Sequence, residues 1–127
     1  MMNILFYSTF KNNKQWLKYI KKRFYKDNIY TLSQNPNYSN IDIAIVWNLP
    51  DRILRKLINI KVIFSLGAGA DHIINLPGFN DIKVPVIRIK DKNMAERMCS
   101  HVHSQILNYQ LKIYSFYAAQ NKKKWIG

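Results

Sequence analysis

The apolar positions of this chain change period several times, and each change predicts an element. "NILFYS" (3–8) is a short apolar run between polar residues, as expected of a strand buried on both faces. Trp16, Leu17, Ile20 and Phe24 then recur at helical spacing, with Lys18, Lys21, Lys22 and Lys26 on other faces. "NIYTLSQ" (28–34) reads as a second strand that ends in the turn-prone "NPNYSN" (35–40). "IDIAIVW" (41–47) is rich in β-branched residues and predicts a third. "LPDRILRKLI" (49–58) reads as a short helix with Pro50 near its first turn. "KVIFSLG" (61–67) is the next strand, and "DHIINL" (71–76) a short helix with Asp71 as N-cap. "VPVIRI" (84–89) is a last strand, and Pro85 places it at an edge or a strand start.

From Asn93 onward the pattern predicts one long helix. Asn93 is the expected cap, with Glu96 completing a capping-box pair. Met94, Met98, Val102, Ile106, Tyr109, Ile113 and Phe116 are spaced by threes and fours and form a continuous apolar stripe. The stripe stops near "QNKKKWIG", where lysines suit the negative end of a helix. Strands alternating with helices predict βαβ units around a parallel sheet, an α/β, flavodoxin-like architecture. The expected domains are 1–92, the sheet domain, and 93–127, a helix too long to cover so small a sheet and with no strand after it.

Composition narrows this picture. At 127 residues and 48% hydrophobic, the chain suits one ordinary core. One cysteine, Cys99, excludes an internal disulfide and fits a reducing compartment. No apolar run is long enough for a membrane span, and the start lacks a basic n-region, so a cytoplasmic protein without a membrane partner is expected. Twenty Lys+Arg against 7 Asp+Glu give a net charge of +13, which raises a nucleic-acid partner. The cations fall in "KYIKKRFYK" (18–26), "RILRK" (52–56) and "NKKK" (121–124), outside any recognition motif. They read as solvated faces, and no nucleic-acid partner is expected.

The candidate chemistry sits in "SLGAGAD" (65–71), which holds two of the chain's 4 glycines one residue apart. The loop ends a strand and opens a helix, at the carboxyl edge where open α/β sheets bind ligands. Glycines at 67 and 69 would leave the amides of Ala68, Gly69 and Ala70 open to a small carboxylate, helped by the following helix. A tight turn without a ligand fits the same spacing. This is not the dinucleotide fingerprint, since position 72 is His72 rather than glycine. Trp47 ends the neighbouring strand and is either core or a pocket wall. His72 is close enough to act as an acid/base, with Asp71 alone to orient it. His101 and His103 are two apart and point about 200° away from each other on a helix, so they are not a metal pair. Cys99 has no companion and is expected to be buried or inert.

Three motifs in order carry a resemblance: "AIVWNLP" (44–50), "KVIFSLGAGADHI" (61–73) and "VPVIRIKDKNMAERM" (84–98). Together they resemble the first part of D-isomer-specific 2-hydroxyacid dehydrogenases, above all the glyoxylate/hydroxypyruvate reductase A branch. That branch has a "VWxPP"-like strand end, an "LGAGVD"-like loop and an "R-L-x-D-x-x-M-x-E-x-M"-like helix entry. Leu49, Ala70 and Lys90 depart from it, standing where proline, valine and an acid are usual. The resemblance implies a substrate (lid) domain whose loop at Gly67, Ala68 and Gly69 holds the carboxylate of glyoxylate or hydroxypyruvate. It implies that Trp47 lines the substrate pocket, and that Met94 and Met98 approach the nicotinamide of NADPH or NADH. The 93–120 helix would form a homodimer. The family's G-x-G-x-x-G and its catalytic arginine, glutamate and histidine have no counterpart in these residues. They are therefore expected to bind neither cofactor tightly and to be inactive alone. The other expectation is a stand-alone module that binds small carboxylates or docks a partner.

Overall fold

Five parallel strands lie in the order β2-β1-β3-β4-β5: β1 (Asn3–Tyr7), β2 (Asn28–Thr31), β3 (Ile43–Val46), β4 (Val62–Ser65) and β5 (Val86–Ile87). This is the flavodoxin-like order, in which the chain winds from β1 outward to one side and then to the other. A computed structural model describes residues 1–127, and the chain divides into two compact units, Met1–Lys90 and Asp91–Gly127. The first unit contains the sheet together with helices α1 (Asn13–Arg23), α2 (Asp51–Leu54) and α3 (Asp71–Ile74).

The register aligns Leu5, Ala44 and Ile63 across the three central strands, and Tyr7, Val46 and Ser65 one step nearer the carboxyl edge. Leu5, Ala44, Val46 and Ile63 are fully buried and pack with Ile53, Leu54, Leu57, Ile60 and Ile73 from the segments that follow β3 and β4. Each large aliphatic side chain so buried contributes roughly 1.5–3 kcal/mol. β1 is buried on both faces, as its unbroken apolar run predicts. β3 and β4 are not, because Ile43, Ile45 and Phe64 on the second face are only half-buried. Those three residues, with Ile4, Phe24, Leu66 and Ile89, line an apolar hollow of about 290 Å³.

Several elements are shorter than the pattern predicts. β2 stops at Thr31, because the Thr31 N–H donates to Gln34 Oε1 (2.7 Å) and residues 32–34 wind into a 3₁₀ turn. β5 keeps only two residues, and Pro85 just before it has no N–H to donate. Its edge position agrees with the one inferred from Pro85. The helix expected over 49–58 is α-helical only at α2, after which Lys56 and Leu57 donate to carbonyls three residues back. Asp71 is the first residue of α3 rather than its cap; Ala70 takes that place and its side chain has nothing to accept with.

The second unit corrects the single long helix. It is two, α4 (Lys92–Gln110) and α5 (Ile113–Asn121), separated where Lys112 takes a left-handed conformation (φ 52°, ψ 33°). The Leu111 N–H donates to Leu107 and the Lys112 N–H to Tyr109, which closes α4 before α5 begins. Tyr114 Oη donates to Gln105 Oε1 (3.0 Å), fastening the second helix to the first. The cap of α4 is Asp91 and not Asn93: Asp91 Oδ1 accepts from the amides of Asn93 (2.9 Å) and Met94 (3.3 Å). Glu96 instead approaches Lys92 Nζ at 3.6 Å. No helix is long and apolar enough to cross a membrane.

Candidate carboxylate site

At the carboxyl edge of the sheet, three chain turns meet. The Trp47 N–H donates to Tyr7 O (2.9 Å), the Leu66 N–H to Val46 O (3.0 Å), and the Ile89 N–H to Gly67 O (3.1 Å). These bonds carry the ladder one or two residues past the strand ends, so the loops after β1, β3 and β4 leave the sheet side by side. The third leads into the glycine loop.

Trp47 occupies the centre of this edge. Its ring stacks on Phe10 (centroids 5.1 Å, planes at 18°) and tilts against His72 (4.1 Å, 56°). A Cβ on Gly67 would lie 2.2 Å from Trp47 Cζ3, well inside any real contact. Gly67 is therefore glycine because the indole lies against its backbone. Neither Gly67 nor Gly69 has a positive φ, so neither serves a left-handed turn. The left-handed residue here is Asn48 (φ 55°), a type that tolerates it, whose Nδ2 donates to Thr9 Oγ1 (3.3 Å).

Ser65 holds the loop from beneath. Its hydroxyl is buried and donates to Gly69 O (2.8 Å) while accepting from the Gly67 N–H (3.2 Å). Its other neighbours are His72 Nε2 at 3.0 Å and Gly67 O at 3.3 Å, the latter a longer alternative acceptor to Gly69 O. His72 Nδ1 accepts from the Asn48 N–H (3.3 Å) and so carries no proton. The imidazole proton is then on Nε2 and donates to Ser65 Oγ. Burial pushes the His72 pKa below its usual 6.5, with Asp71 opposing more weakly, and the neutral ring is the one these bonds require. Asp71 makes no hydrogen bond to His72; Asn48 and Ser65 hold the ring.

With Ser65 holding a carbonyl and an amide from below, the amides of Ala68, Gly69 and Ala70 donate to no other group of the chain. Three successive free N–H groups beside an aromatic wall are suited to a small anion. Arg88 Nη1 donates to Ala68 O (2.9 Å), which brings a cation to the loop. The Asp71 carboxylate lies on the other side, 3.3 Å from where a Gly69 Cβ would stand, and it opposes an anion there. α3 is a single turn, so the helix dipole expected to assist is small.

The structure thus brings together Trp47, Gly67, Ala68 and Gly69 in the first unit. Met94 and Met98 belong to the second, one turn apart on α4 and 44% and 60% exposed. They offer an apolar surface to a planar ring. The chain's other glycines, Gly78 and Gly127, form no phosphate loop with them, so these residues do not fit a whole dinucleotide and no hydride step is derived from them. His101, His103 and Cys99 are exposed on α4, so of the two expectations for the cysteine, buried or inert, burial does not hold. No cluster of three or more His, Cys, Asp or Glu is placed to hold a metal.

Sequence reasoning passed over Ser65, Phe10 and Arg88. Ser65 had a signal, as the single polar residue of the strand "VIFS". Arg88 opens the helix-entry motif, but its bond to the loop was not foreseen; Phe10 had no signal, since its role depends on which loops the sheet order makes neighbours.

Known proteins bear out the resemblance. No protein-family profile matches the chain. It is 32% identical over 128 residues to a glyoxylate/hydroxypyruvate reductase A of Yersinia enterocolitica, and 30% identical to one of Serratia proteamaculans. Each match takes in 98% of this chain but only 41% of the relative, so the chain spans about two fifths of the length of these curated relatives. Among solved structures it superposes on a probable 2-hydroxyacid dehydrogenase of Rhizobium etli, in complex with NADP, HEPES and L(+)-tartaric acid. The TM-score is 0.78 at 26% identity, over 100% of this chain and 41% of that one. An NADPH-dependent glyoxylate/hydroxypyruvate reductase of Sinorhizobium meliloti, in complex with NADP and sulfate, gives 0.78 and 26% over 100% and 40%. In sequence and in fold the chain is similar to the D-isomer-specific 2-hydroxyacid dehydrogenases, and its five-stranded parallel sheet matches their substrate-binding domain.

Proposed function

We propose that this chain is the oxoacid-binding part of a glyoxylate/hydroxypyruvate reductase-like 2-hydroxyacid dehydrogenase. The observation that carries the reading is the row of free amides at Ala68, Gly69 and Ala70, set at the carboxyl edge beside Trp47. A 2-oxoacid carboxylate accepts from these amides, and the Trp47 ring walls the carbon chain. Arg88 adds favourable charge through its hold on the loop. NADPH or NADH would supply the hydride for reduction of the keto carbon, a group these 127 residues do not hold by themselves, and Met94 and Met98 would offer its nicotinamide an apolar surface. The relatives solved with NADP support this part of the reading.

On this proposal the 127 residues bind a small oxoacid weakly and do not turn it over, and the setting is cytoplasmic. The exposed stripe of α4 serves a homodimer. Glyoxylate titrated into the ¹⁵N-labelled chain should shift the amide signals of Ala68, Gly69 and Ala70 in a saturable way, and the Trp47 indole signal with them. Shifts absent there, or scattered over the lysine-rich surface, would refute the reading.

A further inference from the structure

We infer that Ser65 and the neutral imidazole of His72 are a positioning pair, whose bonds preset the amides of residues 68–70 for a carboxylate. The inference rests on the proposed carboxylate cradle and assigns what holds it in shape.

The argument is a count of protons. Ser65 Oγ has one hydrogen and two lone pairs. It gives the hydrogen to Gly69 O (2.8 Å) and accepts from the Gly67 N–H (3.2 Å). One lone pair remains, and His72 Nε2–H fills it at 3.0 Å. His72 Nδ1 is in turn occupied by the Asn48 N–H. Every polar atom of the pair is used inside the protein, and no donor is left over to touch a ligand. By tying down Gly67 N and Gly69 O, Ser65 fixes two of the peptide units around Ala68. By binding Ser65 and Asn48 at once, His72 ties the glycine loop to the turn that carries Trp47. Its ring also packs against the indole, as Phe10 does.

The groups facing His72 are the Trp47 ring and the Asn48 amide from the turn after β3, and Ser65 from β4. None of these is charged; Asp71, on its own element, is the acid beside it. A second proton on His72 would have to enter at Nδ1, where it meets the Asn48 N–H head-on. The cradle is therefore shaped around a ring that carries one proton.

The test uses the full 127-residue chain with glyoxylate as the probe. His72→Gln keeps a donor near the Nε2 position, whereas His72→Phe keeps only the ring. Glyoxylate affinity, read from the Ala68–Ala70 amides, should fall about tenfold in His72→Phe and in Ser65→Ala and recover largely in His72→Gln. Wild-type affinity should fall as His72 protonates, and His72→Gln should lose that pH dependence. In the wild-type chain, ¹⁵N shifts of the His72 ring should show protonated Nε2 and bare Nδ1 at neutral pH. The opposite tautomer, or an imidazolium, would overturn the inference even if a variant failed to fold. Equal affinity in all variants, or tighter binding at low pH, would overturn it and leave the cradle standing. If the wild-type amides do not respond to glyoxylate at all, the cradle itself is wrong and the pair positions nothing.

Discussion

At the scale of single residues, the edge of the sheet is governed by the space beside Trp47. Gly67→Ala would put a methyl group 2.2 Å from the ring, and the indole is held by Phe10 and His72 and cannot simply swing away. We expect the substitution to cost about 1–3 kcal/mol in urea unfolding, and Trp47→Ala in the same chain to recover part of that loss. Protonation acts here as well. The folded-state pKa of His72 lies below its usual 6.5, so the unfolded chain binds the extra proton first. The stability from a neutral His72 is complete above 6.5 and is lost as pH falls from there toward the folded value. Asp42, held low by the Asn3 amide and Lys61, and Asp51, held low by Arg55 and the Gly78 amide, contribute stability above 3.8 that is lost below it. Urea midpoints measured against pH should show these two separate declines, with the first removed in His72→Gln. The glycine pair announces this site in the sequence, but not its reason. An indole against Gly67 and an imidazole under the loop come from β3 and α3, and no local pattern reports which side chains cross between them.

Among the elements, strand identity and the parallel, flavodoxin-like class were legible and element length was not. Every predicted strand is present, because β-branched and apolar runs bounded by turn residues leave little alternative. One end moved because a side chain took the place of the backbone ladder, as Gln34 does at Thr31. The break between α4 and α5 had no signal at all. Spacings of three and four continue from Tyr109 to Ile113 and Phe116, and Lys112 is an ordinary helix former. A lysine in the left-handed region is strained by about 1–2 kcal/mol, and glycine is not. Lys112→Gly should therefore raise the thermal midpoint, although glycine inside an intact helix would lower it by about 1 kcal/mol. A lower midpoint would mean that the two helices join in solution.

Over the whole molecule, apolar surface is distributed unevenly. α4 has no buried residue, and its Met98, Val102, Ile106 and Leu107 are each about half or more exposed. A stripe of that extent calls for a partner, and the proposed homodimer is one. Val102→Glu should convert a concentration-dependent dimer into a monomer in sedimentation measurements, without changing the circular dichroism of the sheet unit. The resemblance suggests this surface, whereas the stripe alone reads as a helix too long for so small a sheet and names no partner. Charge is uneven too. Lys11, Lys14, Lys18, Lys21, Lys22, Arg23 and Lys26 lie on or beside α1, and none forms an ion pair. Charge without a local partner still acts at a distance, drawing anions from solution within a Debye length, about 8–10 Å at ordinary salt. α1 would then influence how often an oxoacid arrives and scarcely how long it stays. Line-shape kinetics should show the association rate falling as sodium chloride rises, with the dissociation rate nearly constant.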